Sequence, residues 1–285
     1  MAWRDQVALV TGAARGIGRA AARRLAQHGA AVCINYAARA DKASELVGQI
    51  TRAGGRAIAA AADVADAAAV AAMVSRTEKE LGPLTILVNN AGVAWRGTLD
   101  DYDAEQVARM RRVNVEGVIN ATRAVIGGMR QRRYGRIVNV SSIAALGTGL
   151  PGNAFYAASK AEVAILTRRF ALELGPHAIT VNAVAPGFVH TDLTRGGRGA
   201  GDWQATEQRF AQKTMLGRIG EPDDVANAIA FLAAPESGWI TAQVLTVDGG
   251  RMDYISHSRL TRSPRRRARA IAPAPAASAF VRFAH

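Results

Sequence analysis

One cysteine, Cys33, occurs among 285 residues. No disulfide can form within the chain, which suits a reducing compartment. Cys33 lies in the apolar run 30–34 and reads as a buried strand residue. No stretch reaches the ~20 apolar residues of a membrane span; the Ala-rich segment 57–74 is broken by Asp63 and Asp66. The start, Met1-Ala2-Trp3-Arg4-Asp5, lacks a basic region followed by a long apolar one, so no signal peptide is read. A cytoplasmic location is expected, with no membrane and no metal.

Acidic residues are also scarce: 23 Asp and Glu face 36 Lys and Arg, a net charge of +13. The imbalance is local. From Arg251 onward, eight Arg and one Asp supply +7 of that charge. Basicity is largely a property of the last 35 residues and does not mark the body as a nucleic-acid binder.

What the sequence does contain is alternation. A strand over 7–10 runs into Thr11-Gly12-Ala13-Ala14-Arg15-Gly16-Ile17-Gly18, then a helical pattern over 19–28 and a strand over 30–35. Strand, Gly-rich turn, helix and strand in succession form a dinucleotide-binding unit. The glycines let the backbone approach a pyrophosphate, and the helix N-terminus offers unpaired N–H groups. Helices are predicted over 41–53, 67–81, from 103 past 110 toward 133, 155–174 and 222–232. Strands are predicted over 56–64, 85–88, 136–140, 179–184 and 243–247. Asp103 and Gln106 have the spacing of a capping box. The fold class is therefore α/β: a single Rossmann-type, doubly wound domain over residues 1–252, with a seven-stranded parallel sheet and helices on both faces. Ligands belong at the carboxyl ends of the strands.

Tyr156 and Lys160, four residues apart, share a helix face. An ammonium beside a phenol favours phenolate, so the tyrosine pKa is expected to fall toward the range useful for proton exchange near neutrality.

Thr11-Gly12-x-x-x-Gly16-Ile17-Gly18, Asn89-Asn90-Ala91-Gly92, Asn114, Ser142, Tyr156-x-x-x-Lys160 and Pro186-Gly187 stand in one order. That order resembles the short-chain dehydrogenases/reductases over residues 5–252, and within them the 3-oxoacyl-[acyl-carrier-protein] reductases. The closing segment 240–250 is similar too, with Ala242 where glycine is usual. The resemblance implies an oxidoreductase that interconverts a ketone and a secondary alcohol by hydride transfer. It makes Tyr156 the acid or base and Ser142 the group that polarises the carbonyl. Lys160 would lower the tyrosine pKa and hold the nicotinamide ribose. Asn114 would hold a water that links Lys160 to solvent. A sugar or polyol dehydrogenase and a non-catalytic dinucleotide sensor are the rival readings. Between Ser142 and Tyr156 stand thirteen residues, one more than is common in the family. The surplus is expected in the loop over 144–153.

Cofactor contacts implied by the resemblance are Gly12, Arg15, Gly16, Ile17, Gly18, Tyr36, Arg39, Asp63, Val64, Asn90, Tyr156, Lys160, Pro186, Gly187, Val189 and Thr191. Asp63 and Val64 would meet the adenine, Asn90 the adenosine-side ribose, and Val189 and Thr191 the carboxamide. NAD-preferring relatives carry Asp where this chain has Tyr36. Arg15 and Arg39 could instead take a 2′-phosphate, so NADP(H) is expected, with NAD(H) as the alternative.

Substrate walls are expected over 93–98, 144–153 and 192–215, the last with a flexible Gly-rich lid and with Trp95 and Trp203 as candidate walls. Arg130, Arg132, Arg133, Arg168 and Arg169 are expected near the entrance, where an acyl carrier protein could dock, although His177 replaces an Arg usual in such relatives. A homotetramer is implied, built on the helices ending near Arg133 and Leu174 and on the last strand. The tail 253–285, rich in Arg, Pro and Ala, is read as disordered. Three readings stand for it: non-functional sequence, an arm for phosphate or anionic lipid (the one route to weak nucleic-acid contact), and a docking segment for a neighbouring subunit.

Overall fold

A computed structural model describes residues 2–196 and 199–254. The tail beyond Tyr254 and two residues of the Gly-rich lid lie outside the described residues.

The elements, in order, are β1 (Val7–Val10), α1 (Gly16–Gln27), β2 (Ala31–Tyr36), α2 (Ala40–Arg52), β3 (Ala57–Ala61), α3 (Ala67–Leu81) and β4 (Ile86–Asn89). Then come α4 (Ala104–Arg111), α5 (Gly117–Arg132), β5 (Gly135–Val140), α6 (Ala154–Leu174) and β6 (Ile179–Pro186). The short α7 (Asp192–Arg195), α8 (Ala200–Ala211), α9 (Pro222–Ala233) and β7 (Val244–Val247) complete the fold. The seven strands pair in parallel in the order β3-β2-β1-β4-β5-β6-β7. Strand order reverses between β1 and β4, where a doubly wound sheet opens a crevice.

Successive strand residues face opposite layers. Ala8 and Val10 pack with α1, α2 and α9, whereas Val7 and Leu9 pack with α3, α5 and α6. Both faces are covered, so β1 is apolar throughout rather than alternating. Ala20, Ala21 and Ala22 of α1 and Ala226, Ala230 and Ala233 of α9 are buried in one cluster, and such small side chains let two helices approach closely. Cys33 is buried as expected, and burial raises its thiol to about 11, which keeps it unreactive. Among the described residues no helix is long and apolar enough to cross a membrane.

Three local expectations need correction. Asp103 caps α4 by accepting from the Glu105 and Gln106 amides, but the reciprocal half from Gln106 is missing, so no capping box forms. The long helix expected from 103 to 133 is α4 and α5 joined through a π-helical turn, Arg112–Glu116. Asp253 and Tyr254, assigned to the tail on sequence, pair with the folded body: Tyr254 bridges Thr148 and Asp253 holds Lys213.

Ala242, where relatives carry glycine, has φ +60°. A Cβ in the left-handed region meets the following carbonyl, which explains why glycine suits this position. Ala242→Gly is expected to raise stability by about 0.5–1 kcal/mol, read as a higher urea midpoint at unchanged slope; a lower midpoint would contradict the strain.

Candidate active site

The Gly-rich turn is built by close approach. Gly12 and Gly16 have φ +61° and +56°. A Cβ on Gly12 would stand 2.9 Å from the Ala91 Cα, and one on Gly18 would stand 2.6 Å from the Gly12 carbonyl oxygen and closer still to Asn90 Nδ2. Helix α1 begins at Gly16, earlier than the residue-19 start read from the sequence, so Gly16, Ile17 and Gly18 form its first turn. No side chain caps that terminus and no acidic residue occupies the turn. The N–H groups and the positive dipole end are therefore left for an anion, and the cradle fits a pyrophosphate.

Asn35 holds the cradle from below. Its Oδ1 accepts the Gly12 N–H at 3.1 Å and its Nδ2 donates to the Ala60 and Ala62 carbonyls. The sequence reading missed this residue, although a lone amide at the end of an apolar strand was the signal. Asn90 Nδ2 donates to the Thr11 and Gly12 carbonyls at 2.9 and 3.1 Å. That amide is committed to the turn, so the ribose contact expected of Asn90 does not come from its donor. On the far side, Thr191 caps α7, and its Cγ2 would lie 3.4 Å from a Cβ on Gly16. The two ends of the expected cofactor set thus meet. Gly187 is pinned by its N–H to the Val247 carbonyl, next to Pro186 at the end of β6, and Val189 is buried.

Tyr36 ends β2, half-buried. Val64 is buried against Gly117, and Asp63 accepts the Ala65 N–H. Arg39 grips Asp41 through Nε and Nη2 at 3.0 and 2.9 Å, which holds the Asp41 carboxyl down at about 2. Arg15 lies 3.6 Å from Asp192. Both cations expected to take a 2′-phosphate therefore have carboxylates beside them.

Tyr156 and Lys160 lie in the first two turns of α6, one turn apart on its face. Lys160 is buried, its Nζ donating to the Val140 carbonyl at 2.8 Å and standing 5.9 Å from the Tyr156 ring centroid. Burial draws the ammonium down to about 8. Ser142, two residues past β5, accepts the Ala144 N–H at 3.1 Å, and its hydroxyl acts to lower the pKa of the Tyr156 phenol. Desolvation pushes the Tyr156 phenol above its ordinary value; Ser142 and the Arg96 charge pull it down and lose. This corrects the sequence expectation of a lowered tyrosine. The opposing cation here is Arg96, which the sequence reading passed over, while Lys160 is turned to a carbonyl and itself resists charging.

Asn114 sits in the π turn, fully buried. Its Oδ1 accepts the Val93 N–H at 2.8 Å, and its Nδ2 donates to the Val93 carbonyl and to Ser159 Oγ at 3.0 and 3.1 Å. Ser159 Oγ in turn donates to the Tyr156 carbonyl. The side chain thus positions the 93–98 segment and the start of α6. A Cβ on Gly92 would lie 3.3 Å from Asn114 Oδ1 and 3.4 Å from Lys160 Nζ, so all three groups line one spot.

Of the lid region, the described residues on either side of 197–198 are helical in part. It contains α7 and α8, and Trp203 is buried in a stack with Phe188 and His190. Trp95 meets the ring of Phe155, beside Tyr156. The basic residues expected at the entrance are elsewhere within one chain. Arg130 and Arg132 end α5 and Arg133 follows it, at the edge where β5 begins, opposite the carboxyl ends. Arg132 donates to the Leu84 carbonyl and Arg133 to that of Pro176. Arg168 and Arg169 lie about 18 Å along α6 from Tyr156 at 1.5 Å per residue.

Comparison with known proteins agrees with this geometry. Residues 12–251 match the family model described as enoyl-(acyl carrier protein) reductase. A 3-oxoacyl-[acyl-carrier-protein] reductase of Synechocystis is 41% identical over 250 residues, covering 87% of this chain and 98% of that one. A short-chain dehydrogenase from Burkholderia cenocepacia, solved with NADP, is 40% identical with a TM-score of 0.77, over 86% of this chain and 97% of that one. A 7α-hydroxysteroid dehydrogenase solved with NADH and a 7-oxo bile acid is 32% identical with a TM-score of 0.83, over 89% and 97%. With its crevice, its Gly-rich cradle and the Ser142–Tyr156 pair at the strand ends, this chain belongs to the short-chain dehydrogenase/reductase family of oxidoreductases, which act on alcohol and carbonyl groups.

Proposed function

We propose that the chain is an NADP-preferring ketoreductase, with 3-oxoacyl thioesters as the first substrate class to try. What supports the reading is the convergence of Ser142, Tyr156, buried Lys160 and Asn114 beside a cradle that fits a pyrophosphate. The nicotinamide cofactor supplies the hydride. Tyr156 donates its proton to the carbonyl oxygen. Ser142 donates a hydrogen bond to the same oxygen and orients it. Lys160 stabilises the phenolate left behind and holds the ribose. Asn114, through Val93 and Ser159, keeps the α6 terminus and the 93–98 loop in place. Asn114 would also hold the water that links Lys160 to solvent. Gly12, Gly16, Ile17 and Gly18 hold the pyrophosphate; Asp63, Val64 and Asn90 lie on the adenosine side, and Pro186, Gly187, Val189 and Thr191 on the nicotinamide side.

Tyr156→Phe is expected to lower carbonyl-dependent NADPH oxidation at least about 100-fold while NADPH affinity by fluorescence stays within about twofold. Wild type that turns over no β-ketoacyl thioester, quinone, cyclic ketone or sugar, yet binds NADPH, points to the sensor instead.

NADP preference rests on Arg39 beside the uncharged Tyr36. Asp41 is the observation on the other side, because its carboxylate occupies the guanidinium that a 2′-phosphate needs. NADPH is expected to bind more tightly than NADH, and Arg39→Ala to cut the ratio of affinities about tenfold. Equal affinities in wild type would sink the preference.

A homotetramer is the proposed assembly. Phe231 on α9, Trp239 in the following turn and Leu245 on edge strand β7 are exposed, Trp239 at 99%. Ile165 and Leu172, seven residues apart on α6, form a second exposed apolar pair. Light scattering is expected to give the mass of four chains, and Trp239→Glu a smaller particle. A monomeric wild type, or a Trp239→Glu tetramer, argues against this assembly. With Arg130 and Arg132 remote from the site within one chain, docking of an acyl carrier protein would use other cations, such as Arg96 near Tyr156 or those of a neighbouring subunit.

A further inference from the structure

The three segments expected to wall the substrate site are tied to one another. The Gly97 N–H donates to the Gly152 carbonyl at 3.1 Å, which joins 93–98 to 144–153. The other junction runs through residues 251–254. The Gly149 N–H donates to the Asp253 carbonyl at 3.1 Å, and Thr148 pairs with Tyr254 across an antiparallel bridge. On the lid side, the Met252 N–H donates to the Lys213 carbonyl at 3.0 Å, and Thr214 pairs with Arg251.

The Asp253 carboxylate closes this junction. It accepts Lys213 Nζ at 2.8 Å, just past the end of α8, and takes the Arg251 guanidinium through Nε and, at 3.0 Å, Nη2. Arg251 is only 7% exposed, and its guanidinium stands 5.0 Å from the centroid of the Phe210 ring. Phe210 stacks on Phe188 at 3.8 Å, in the segment that leads to Val189 and Thr191. Leu150 of the middle loop packs on that same cluster. Tyr254 adds a 2.5 Å hydrogen bond to Asp248. A buried guanidinium without a counter-charge is costly, so Asp253 cannot leave Arg251 cheaply. The carboxylate is anchored on one side and free to hold the lid on the other.

We propose that Asp253 is a positioning residue of the substrate pocket: by holding Lys213, Arg251 and Gly149 at once, it keeps α8 and the 144–153 loop in one relative placement and so sets substrate affinity without touching substrate. The effect on affinity rests on the ketoreductase reading; the coupling of the two segments does not.

Two variants separate positioning from folding. Lys213→Met removes one arm and leaves Arg251 paired; Asp253→Asn keeps the shape and removes the charge. Hydrogen exchange is expected to rise in 144–153 and 208–216 together in both variants, with 8–25 unchanged. KM for the carbonyl substrate is expected to rise about tenfold while kcat and the NADPH Kd stay within about twofold, and Asp253→Glu to recover part of the loss. Unchanged exchange in 144–153 overturns the coupling, and a fall in kcat at constant KM overturns the role in affinity. Exchange needs no turnover. A wild-type chain without carbonyl activity would therefore defeat the ketoreductase reading alone, whereas the loss of coupling would defeat this one alone.

Discussion

Every group at the site depends on the reversal of strand order between β1 and β4. Neighbouring chains diverge there, and their ends must be joined by something other than a strand ladder. Thr11 does this with one hydroxyl, which donates to the Val88 carbonyl and accepts the Asn90 and Ala91 N–H groups. Asn90 returns two bonds to the Gly-rich turn. Asn35 adds a third support from β2. The crevice is therefore open above and tightly bonded beneath, so its glycines face a ligand without the turn collapsing.

At the proton-transfer site, burial opposes charge on both groups. Desolvation lowers Lys160 and raises Tyr156, so both favour their neutral forms.

Much of this was legible in the sequence because it repeats at element scale. Helix α3 spans the residues its periodicity marks out, and all seven strands fall where apolar runs and turn residues put them. Tyr156, Lys160, Ser142 and Asn114 also converge, since the elements that carry them end at one edge of the sheet. What could not be read depends on non-local pairing. Nothing in the local pattern around Asn114 distinguishes a π turn from an α-helix. The partners of Arg132 and Arg133 are carbonyls of other elements, Leu84 and Pro176, so their charges looked available for docking. The packing of Trp203, Phe210 and Ile219 with Leu150 and Phe188 joins segments far apart in sequence and could not be read locally either. Asp253 looked like the start of a polar tail, because its partners lie 40 residues upstream at Lys213 and still further back at Gly149.

The bridge between Tyr254 and Thr148 has a consequence for topology. Chain that continues past Tyr254 is tethered by a covalent bond to the rim of the pocket, whatever conformation it takes. A tether confines a segment to a small volume and so raises its effective concentration there. Seven further Arg follow Tyr254 in the sequence. The bridge thus makes the point where the chain leaves the folded body part of the surroundings of the 144–153 loop.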